Sequence, residues 1–285
     1  MVHGLKPHLS SLLNETISEV SPVSGGDISQ AYRISTTNKA YFLKLNSANK
    51  LNMFQTEAYG LELIAKTNTI KTPKVLAFDS FENSAFLLME FVESKSASTK
   101  NFEILGAQLA ALHQCTSENF GLDKDNYIGS LPQSNTTHDN WTDFYIEERL
   151  LPQLNLAKTK GLLNSKEVPS TSIMKAVLQP LFQNVKPSLL HGDLWGGNYL
   201  ISSDGIPYLI DPAVYYGHRE VDIAMTKLFG GFSNHFYDAY FDILPPDTNT
   251  NQRIEIYQLY YLLVHLNLFG RSYYGSVNNI IQKFF

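Results

Sequence analysis

Two short apolar runs in the second half of the chain each end in polar side chains that could carry chemistry. Asp193 and Asn198 lie in the sequence His-Gly-Asp-Leu-Trp-Gly-Gly-Asn, with four residues between them. A turn of Ser, Asp and Gly leads into the second run, which ends at Asp211. His-x-Asp-x4-Asn followed by an aspartate is the arrangement of a phosphoryl-transfer loop and its metal-binding aspartate.

Phosphoryl transfer requires a group that holds the attacking hydroxyl, oxygen ligands for magnesium and a cation on the phosphates. Asp193 suits the first task, Asn198 and Asp211 suit the second, and Lys44 suits the third. The His-Gly-Asp sequence alone would match many turns by chance. The prediction therefore depends on separate positions that agree in chain order.

The apolar pattern upstream predicts a buried partner for Lys44. The predicted strand Ala40–Asn46 alternates, so that Lys44 lies between residues of the buried face. In the predicted helix Leu51–Ala65, Glu57 falls on the apolar stripe, three residues after Phe54. A carboxylate on a buried face needs a partner, so we predict a Lys44–Glu57 ion pair. An edge carboxylate that reaches solvent is the alternative.

The same pattern predicts the organisation of the chain. Short strands with one helix fill residues 17–92, the Ser24-Gly25-Gly26-Asp27 turn forms the small-residue tip of a hairpin, and helices dominate beyond Ser94. We predict an α+β fold with two lobes: residues 1–92 as a nucleotide-binding lobe, residues 93–285 as a catalytic and substrate-binding lobe, and an ATP cleft between them. Residues 94–99 are interpreted as a linker.

Helical periodicity in the large lobe is strongest in a few segments. These are Phe102–Gln114, Trp141–Thr159, Ser172–Phe182, Glu220–Phe229 and Asn251–Phe269. The segment between the first two, residues 116–140, is irregular and rich in Asn, Asp, Gly, Ser and Pro. Irregular segments of that length are usually functional or mobile loops.

Composition excludes several function classes. A formal net charge of -5 without a run of Lys and Arg argues against nucleic acid as a partner. Cys115 is the single cysteine, so no internal disulfide can form and a cytoplasmic location is expected. No window approaches the roughly 18 apolar residues of a membrane span, so no membrane association is expected.

The sequence resembles the fructosamine/ketosamine 3-kinase family over nearly its whole length. Trp195 after the catalytic Asp-Leu, and Asp-Pro-Ala in place of Asp-Phe-Gly, are more specific than the general kinase motifs. The other matching stretches are Tyr216-Gly217-His218-Arg219-Glu220, Leu228-Phe229-Gly230-Gly231-Phe232, Asp125-Asn126-Tyr127-Ile128-Gly129, Pro132-Gln133 and Leu266-Asn267-Leu268-Phe269-Gly270.

The resemblance implies a protein-kinase-like fold, ATP and Mg²⁺ as cofactors, and phosphorylation of the 3-hydroxyl of a fructosamine, ribulosamine or erythrulosamine. The substrate would be a ketosamine small molecule or a glycated protein, and the outcome would be deglycation. The implied roles are as follows: Asp193 as general base; Asn198 and Asp211 on magnesium; Gly25, Gly26 and Lys44 on the phosphates; Glu57 orienting Lys44; Glu90, Phe91 and Val92 on adenine; and Trp195, Asp125 and Asn126 on the substrate.

Two positions depart from related patterns. Some family members carry a cysteine in the Gly-rich loop that can join two chains, whereas Asp27 stands there in this sequence. A monomer or weak homodimer without that disulfide is therefore expected. Gly192 replaces the arginine of the protein-kinase His-Arg-Asp loop, which usually binds a phosphorylated activation loop. Regulation of that kind is not expected.

Three alternatives share part of this pattern. An aminoglycoside or choline kinase would use the same phosphate machinery with a different acceptor pocket. A nucleotide-binding pseudokinase would be expected to lack a catalytic residue, yet Lys44, Glu57, Asp193, Asn198 and Asp211 are all present. A protein Ser/Thr kinase would carry an Ala-Pro-Glu segment after Asp211, and the sequence has none.

Overall fold

The structure is a computed structural model that describes residues 4–23 and 28–285. The chain divides into two compact units. Unit 1 comprises Met1–Ala97 and Tyr199–Asp211, and unit 2 comprises Ser98–Asn198 and Pro212–Phe285. The functional division predicted at residue 92 concerns the roles of the lobes and stays a prediction.

The strands and helices follow in chain order. The strands are β1 (Ile17–Pro22), β2 (Gln30–Thr36), β3 (Ala40–Ser47), β4 (Val75–Phe81), β5 (Ser84–Glu90), β6 (Ser94–Lys95), β7 (Asn126–Ile128), β8 (Leu131–Gln133), β9 (Ser188–Leu190), β10 (Tyr199–Ser202), β11 (Pro207–Leu209) and β12 (Tyr215–Gly217). The helices are α1 (Leu5–Leu13), α2 (Leu51–Lys66), α3 (Thr99–His113), α4 (Trp141–Phe144), α5 (Leu151–Thr159), α6 (Thr171–Leu181), α7 (Glu220–Leu228), α8 (Asn234–Ile243), α9 (Thr250–Phe269) and α10 (Tyr274–Phe284). A π-helical turn, Tyr145–Leu150, joins α4 to α5. Two 3-10 turns span Ala48–Lys50 and Arg271–Tyr273.

Unit 1 is built on an antiparallel sheet in the order β1-β2-β3-β5-β4. The alternation predicted for β3 is confirmed, because Tyr41, Leu43 and Leu45 are buried while Lys44 lies on the other face. The buried face packs against Leu5 and Leu9 of α1, a helix that the sequence pattern did not predict.

A distant hairpin completes unit 1. Strand β10 pairs with both β11 and β6, so the β10–β11 hairpin joins the segment that follows β5. The amide of Leu209 also donates to the carbonyl of Lys71, with an N···O distance of 2.9 Å. These backbone bonds place Asp211, two residues after β11, in the same unit as Lys44.

Unit 2 is mainly helical, with α9 at its centre. Buried residues lie on every side of α9, which indicates a helix enclosed by its neighbours. Aromatic rings form much of the surrounding core, including Trp141, Phe144, Tyr145 and Tyr257. The Nε1 atom of Trp141 donates to the hydroxyl of Tyr257 over 2.8 Å, so this ring pair also satisfies buried polar atoms.

The helices predicted in unit 2 are confirmed as α3, the run from α4 to α5, α6, α7 and α9, with ends shifted by a few residues. The segment expected to be wholly irregular contains the β7–β8 hairpin. Helices α8 and α10 were not predicted. Among residues 4–23 and 28–285, no helix has both the length and the hydropathy that crossing a bilayer requires.

A buried ion pair ties α7 to α9 and gives a stability prediction. Arg253 donates from Nε to Glu220 over 2.6 Å, and Glu220 is completely buried. Arg253→Met leaves this carboxylate without its cation, so the free energy of unfolding should fall by about 3–5 kcal/mol. Urea unfolding measures the loss. Arg271→Met, at an exposed arginine, is the control and should change stability by less than about 0.5 kcal/mol. Equal effects of both changes would contradict the prediction.

Candidate active site

Unit 1 brings three of the predicted site residues together. The Nζ atom of Lys44 lies 2.8 Å from Oε1 of Glu57, so the predicted ion pair is confirmed. The same Nζ atom also donates to Oδ1 of Asp211. Strand β3 presents the lysine, the buried stripe of α2 presents the glutamate, and the end of the β10–β11 hairpin presents the aspartate.

The charges of this group are set by burial and by one another. Burial opposes the charge of Lys44, but the carboxylates of Asp211 and Glu57 hold its pKa above the ordinary range, so the ammonium persists. Burial raises the pKa of Glu57 to about 7, with Lys44 acting against that rise and Asp211 adding to it. The group therefore contains one cation and two carboxylates, an excess of acidic groups that suits a site where a further cation binds.

Asp211 is held in an unusual backbone conformation. Its φ of 54° lies in the left-handed region, which is uncommon for residues other than Gly, Asn and Asp. Its side chain is 38% exposed, whereas those of Lys44 and Glu57 are 12% exposed. Asp211 is therefore the member of the group whose carboxylate is most open to a ligand.

In unit 2, a buried carboxylate holds the loop that carries Asp193. Asp222, at the start of α7, accepts hydrogen bonds from the backbone amides of His191 and Gly192 over 2.7 and 2.9 Å. His113 donates from Nε2 to the same carboxylate over 3.1 Å, and Nδ1 of His113 lies 2.8 Å from the hydroxyl oxygen of Tyr240. Burial disfavours the charged carboxylate, but these donors hold the pKa of Asp222 below its ordinary value.

Sequence analysis did not identify Asp222 as a functional residue. The available signal was a carboxylate among the apolar positions of a predicted helix. Its partners are backbone amides some thirty residues away. Any residue type except proline has a backbone amide, so the sequence does not identify these partners. His113 is likewise buried in this network.

Gly192 is required by a close backbone approach. Its φ is 83°, and a Cβ atom at this position would lie 2.1 Å from the carbonyl oxygen of Ala213. The two segments are bonded there, since the amide of Ala213 donates to the carbonyl of His191 over 2.8 Å. The hydroxyl of Tyr261 donates to the carbonyl of Gly192 over 2.9 Å.

Gly192→Ala should therefore lower the free energy of unfolding by more than the strain of a left-handed backbone would alone. We expect a loss of about 1–2 kcal/mol from the positive φ and about 1–3 kcal/mol more from the clash, together with reduced turnover. Gly161→Ala is the matched control, because Gly161 has a φ of 66° and open space around it. Urea unfolding gives the free energy of unfolding of both variants, and the difference between them measures the clash. Equal losses would show that the approach of Ala213 does not require glycine at position 192.

Asn198 supports the backbone of Asp193. Its Nδ2 atom donates to the carbonyl oxygen of Asp193 over 2.8 Å and lies 3.4 Å from Oδ2 of the same residue. The amide of Trp195 also donates to the Asp193 carbonyl, over 3.2 Å. With its nitrogen engaged, Asn198 offers its amide oxygen as the atom that could bind a cation.

Trp195 extends from this loop as an exposed aromatic side chain. It is 42% exposed, and its ring covers Gly197, where an added Cβ would lie 2.4 Å from the ring. A Cβ at Gly231 would lie 2.9 Å from the Cα atom of Gly196. The loop therefore packs directly against the 228–232 segment. Phe229 of that segment is also partly exposed.

Asp125 and Asn126, predicted as substrate residues, have structural contacts. Asn126 is buried, and its Nδ2 atom donates to the carbonyl of Val214 over 2.8 Å. Gln133 donates to Oδ1 of Asn126 over 2.7 Å, and Oδ1 of Asp125 accepts from the amide of Asn135 over 2.8 Å. These bonds brace the residues that follow Asp211 in the chain. The substrate role of the pair stays a prediction.

The predicted adenine segment follows β5. The amides of Glu90 and Phe91 donate to the carbonyls of Lys74 and Ala40 over 2.9 and 3.4 Å. The amide of Val92 has no backbone acceptor among the described residues, so it is the donor of this segment best suited to a base. The predicted phosphate turn at Gly25 and Gly26 lies outside the described residues.

The predicted magnesium ligands fit the chemistry of that ion. Within residues 4–23 and 28–285, no cluster of three or more His, Cys, Asp or Glu side chains is arranged to hold a metal. Magnesium seldom uses such a cluster, because it binds through one or two carboxylates together with substrate phosphates and water. The exposed carboxylate of Asp211 and the amide oxygen of Asn198 are hard oxygen donors of the required type.

Comparison with known proteins decides the family. The family model described as fructosamine kinase matches residues 1–285. The chain belongs to the fructosamine kinase family. The resemblance predicted from the sequence is therefore confirmed, and with it the protein-kinase-like fold.

Individual relatives of this fructosamine kinase family member agree with that result. A probable ketoamine kinase of Lactiplantibacillus plantarum is 41% identical, covering 99% of this chain and 100% of that protein. The chloroplastic protein-ribulosamine 3-kinase of Arabidopsis thaliana is 39% identical, covering 94% and 83% respectively. A crystal structure of a candidate fructosamine-3-kinase from Haemophilus somnus 129PT has a TM-score of 0.88 at 30% identity, covering 98% of this chain and 96% of that chain.

Proposed function

We propose that the chain transfers the γ-phosphoryl group of ATP to the 3-hydroxyl group of a ketosamine, which is a ketose joined to an amine. The observation that carries the proposal is that every residue of the predicted catalytic set is present in a member of this family. Lys44 contacts Glu57 and Asp211, and Asp193 extends from a loop that is held by buried hydrogen bonds. A pseudokinase would be expected to lack part of this set.

Each residue has a defined task in the proposed reaction. The Asp193 carboxylate orients the acceptor hydroxyl and takes its proton, while Lys44 binds nucleotide phosphates. The Val92 amide contributes a backbone donor to the base, and Gly25 and Gly26 are proposed from the sequence as phosphate-binding residues. Asp211 and Asn198 would hold magnesium, which neutralises phosphate charge when bound.

The acceptor site is proposed to include Trp195. An exposed indole beside the general base offers a flat apolar face, which suits the face of a sugar. The acceptor would be a fructosamine, ribulosamine or erythrulosamine on an amino acid or on a protein. Because the 3-phosphate product is labile and loses its sugar, the proposed outcome is deglycation.

An acceptor panel tests the proposal. ATP consumption should be measured with fructosyl-, ribulosyl- and erythrulosyl-lysine, and with choline and an aminoglycoside as rival acceptors. The expected result is magnesium-dependent turnover with at least one ketosamine and a product phosphorylated at the 3-hydroxyl, identified by phosphorus NMR. Turnover confined to choline or the aminoglycoside would overturn the substrate assignment, and no turnover with any acceptor would favour a pseudokinase.

A further inference from the structure

Unit 2 contains a cavity of about 550 Å³ that the proposed reaction does not use. The end of α3, residues 183–186, residues 218–220 and the turn before α9 form its wall. A volume of this size lies in the range of small-molecule sites. The wall includes His218, Arg219 and Glu220, which belong to a stretch of the family resemblance but have no task in the proposed reaction.

The wall has an excess of positive charge. Its carboxylates, Glu220 and Asp247, are both paired with Arg253, at N···O distances of 2.6 and 3.0 Å. Arg219 donates instead to the carbonyl oxygens of Leu244 and Pro245, both over 2.8 Å. Lys186, on the exposed edge, likewise forms no ion pair within residues 4–23 and 28–285. Two cations of the wall therefore lack a carboxylate partner.

His218 adds a buried donor to this wall. It is 8% exposed, and its Nδ1 atom lies 2.8 Å from the hydroxyl of Tyr257. That hydroxyl accepts the Trp141 N–H, so its own proton is directed to Nδ1 of His218. Burial and the nearby Arg253 and Arg219 lower the pKa of His218 well below its ordinary value. The neutral ring then carries its proton on Nε2, which has no partner in the described part of the chain.

We propose that this cavity binds a small anionic metabolite through a carboxylate or phosphate group. Arg219, Lys186 and the Nε2–H group of His218 would donate to the anion, since charged and N–H donors are the usual partners of such groups. The proposal does not depend on the acceptor assigned to the active site.

The position of the cavity connects it to the catalytic loop. His113 lines the cavity and donates to Asp222, whose carboxylate accepts the amides of His191 and Gly192. Glu220, also on the wall, begins the helix that carries Asp222. An anion bound there lies against the residues that hold the loop of Asp193 in place.

Titration of the full-length chain with inorganic phosphate, and separately with citrate, tests the site. At a concentration ten times its Kd, either anion should raise the unfolding temperature by roughly 3 °C. Lys186→Glu should weaken binding about ten-fold, as measured by calorimetric titration. Lys166→Glu is the matched control, because Lys166 is exposed, lies outside the cavity and undergoes the same change of charge.

The pattern across the variants decides the result. A response to either anion that is weakened by Lys186→Glu but kept by Lys166→Glu supports the site, and the anion that responds identifies its chemistry. Arg219→Gln, if it folds with the wild-type circular dichroism spectrum, should show the same loss. The proposal is overturned if neither anion binds at millimolar concentration, if both lysine variants bind equally weakly, or if Lys186→Glu and Arg219→Gln bind like the wild type.

Discussion

Asp193→Asn should lower kcat by about 10²- to 10⁴-fold, the usual contribution of a general base. Asparagine keeps the size and shape of the side chain but loses the charge that accepts the proton of the acceptor hydroxyl. Catalysis in this reaction class is mainly positioning and electrostatics, so loss of that charge acts on the transition state. The carbonyl of Asp193, which accepts from Asn198 and Trp195, remains available in the variant.

The measurement should separate turnover from nucleotide binding. Steady-state kinetics with the best ketosamine give kcat, and calorimetric titration gives the Kd of ATP, which should change by no more than a few-fold. Asp242→Asn, at an exposed position of α8, is a matched control with unchanged kinetics. A variant with kcat within a few-fold of wild type would remove Asp193 from the role of base. The same conclusion would follow if weaker ATP binding explained the whole loss.

Asp211→Asn should lower turnover by roughly 10³-fold at a fixed magnesium concentration, through loss of an anionic metal ligand. Asparagine is the informative replacement because it tolerates the left-handed backbone that Asp211 adopts. The variant should fold, since the side chain is 38% exposed and Lys44 keeps its bond to Glu57.

Asp211→Ala extends this test. It removes the same charge and adds backbone strain, so it should lose similar activity but be about 1 kcal/mol less stable than the asparagine variant. Activity should be measured over a wide range of magnesium concentrations, and stability by urea unfolding. Wild-type turnover with a wild-type magnesium dependence in the asparagine variant would show that Asp211 is not a metal ligand.

The Lys44–Glu57 pair shows what the sequence could predict. Glu57 lies on the apolar stripe of α2, and a carboxylate on such a face needs a partner nearby. Lys44, on the face of β3 opposite to Tyr41, Leu43 and Leu45, is a lysine of the preceding strand that could supply it. The periods of the two elements therefore predicted the contact. The contact between Lys44 and Asp211 could not be predicted in this way, since it depends on how a distant hairpin pairs with β6, the segment that follows β5.

Other features left too little pattern in the sequence. Helix α8 buries only Phe236 and Tyr240, which lie one helical turn apart. Two apolar positions are too few to distinguish a helix from a loop in the sequence. Asp222 acts on backbone amides, so its partners have no characteristic side chains. The β7–β8 hairpin depends on the buried amides of Asn126 and Gln133, inside a segment whose composition is typical of a loop.

The discontinuity of unit 1 has a consequence for folding during synthesis. Strand β6 is made early, but its partner β10 emerges from the ribosome only about 100 residues later, a delay of roughly 5–20 s at ordinary rates of translation. The sequence separation between Lys44 and Asp211 is 167 residues. Strand β6, which pairs with β10 in a separate three-stranded sheet, must therefore remain unpaired until the hairpin arrives. Chaperones or neighbouring nascent chains would meet that unpaired strand before the mature contacts exist.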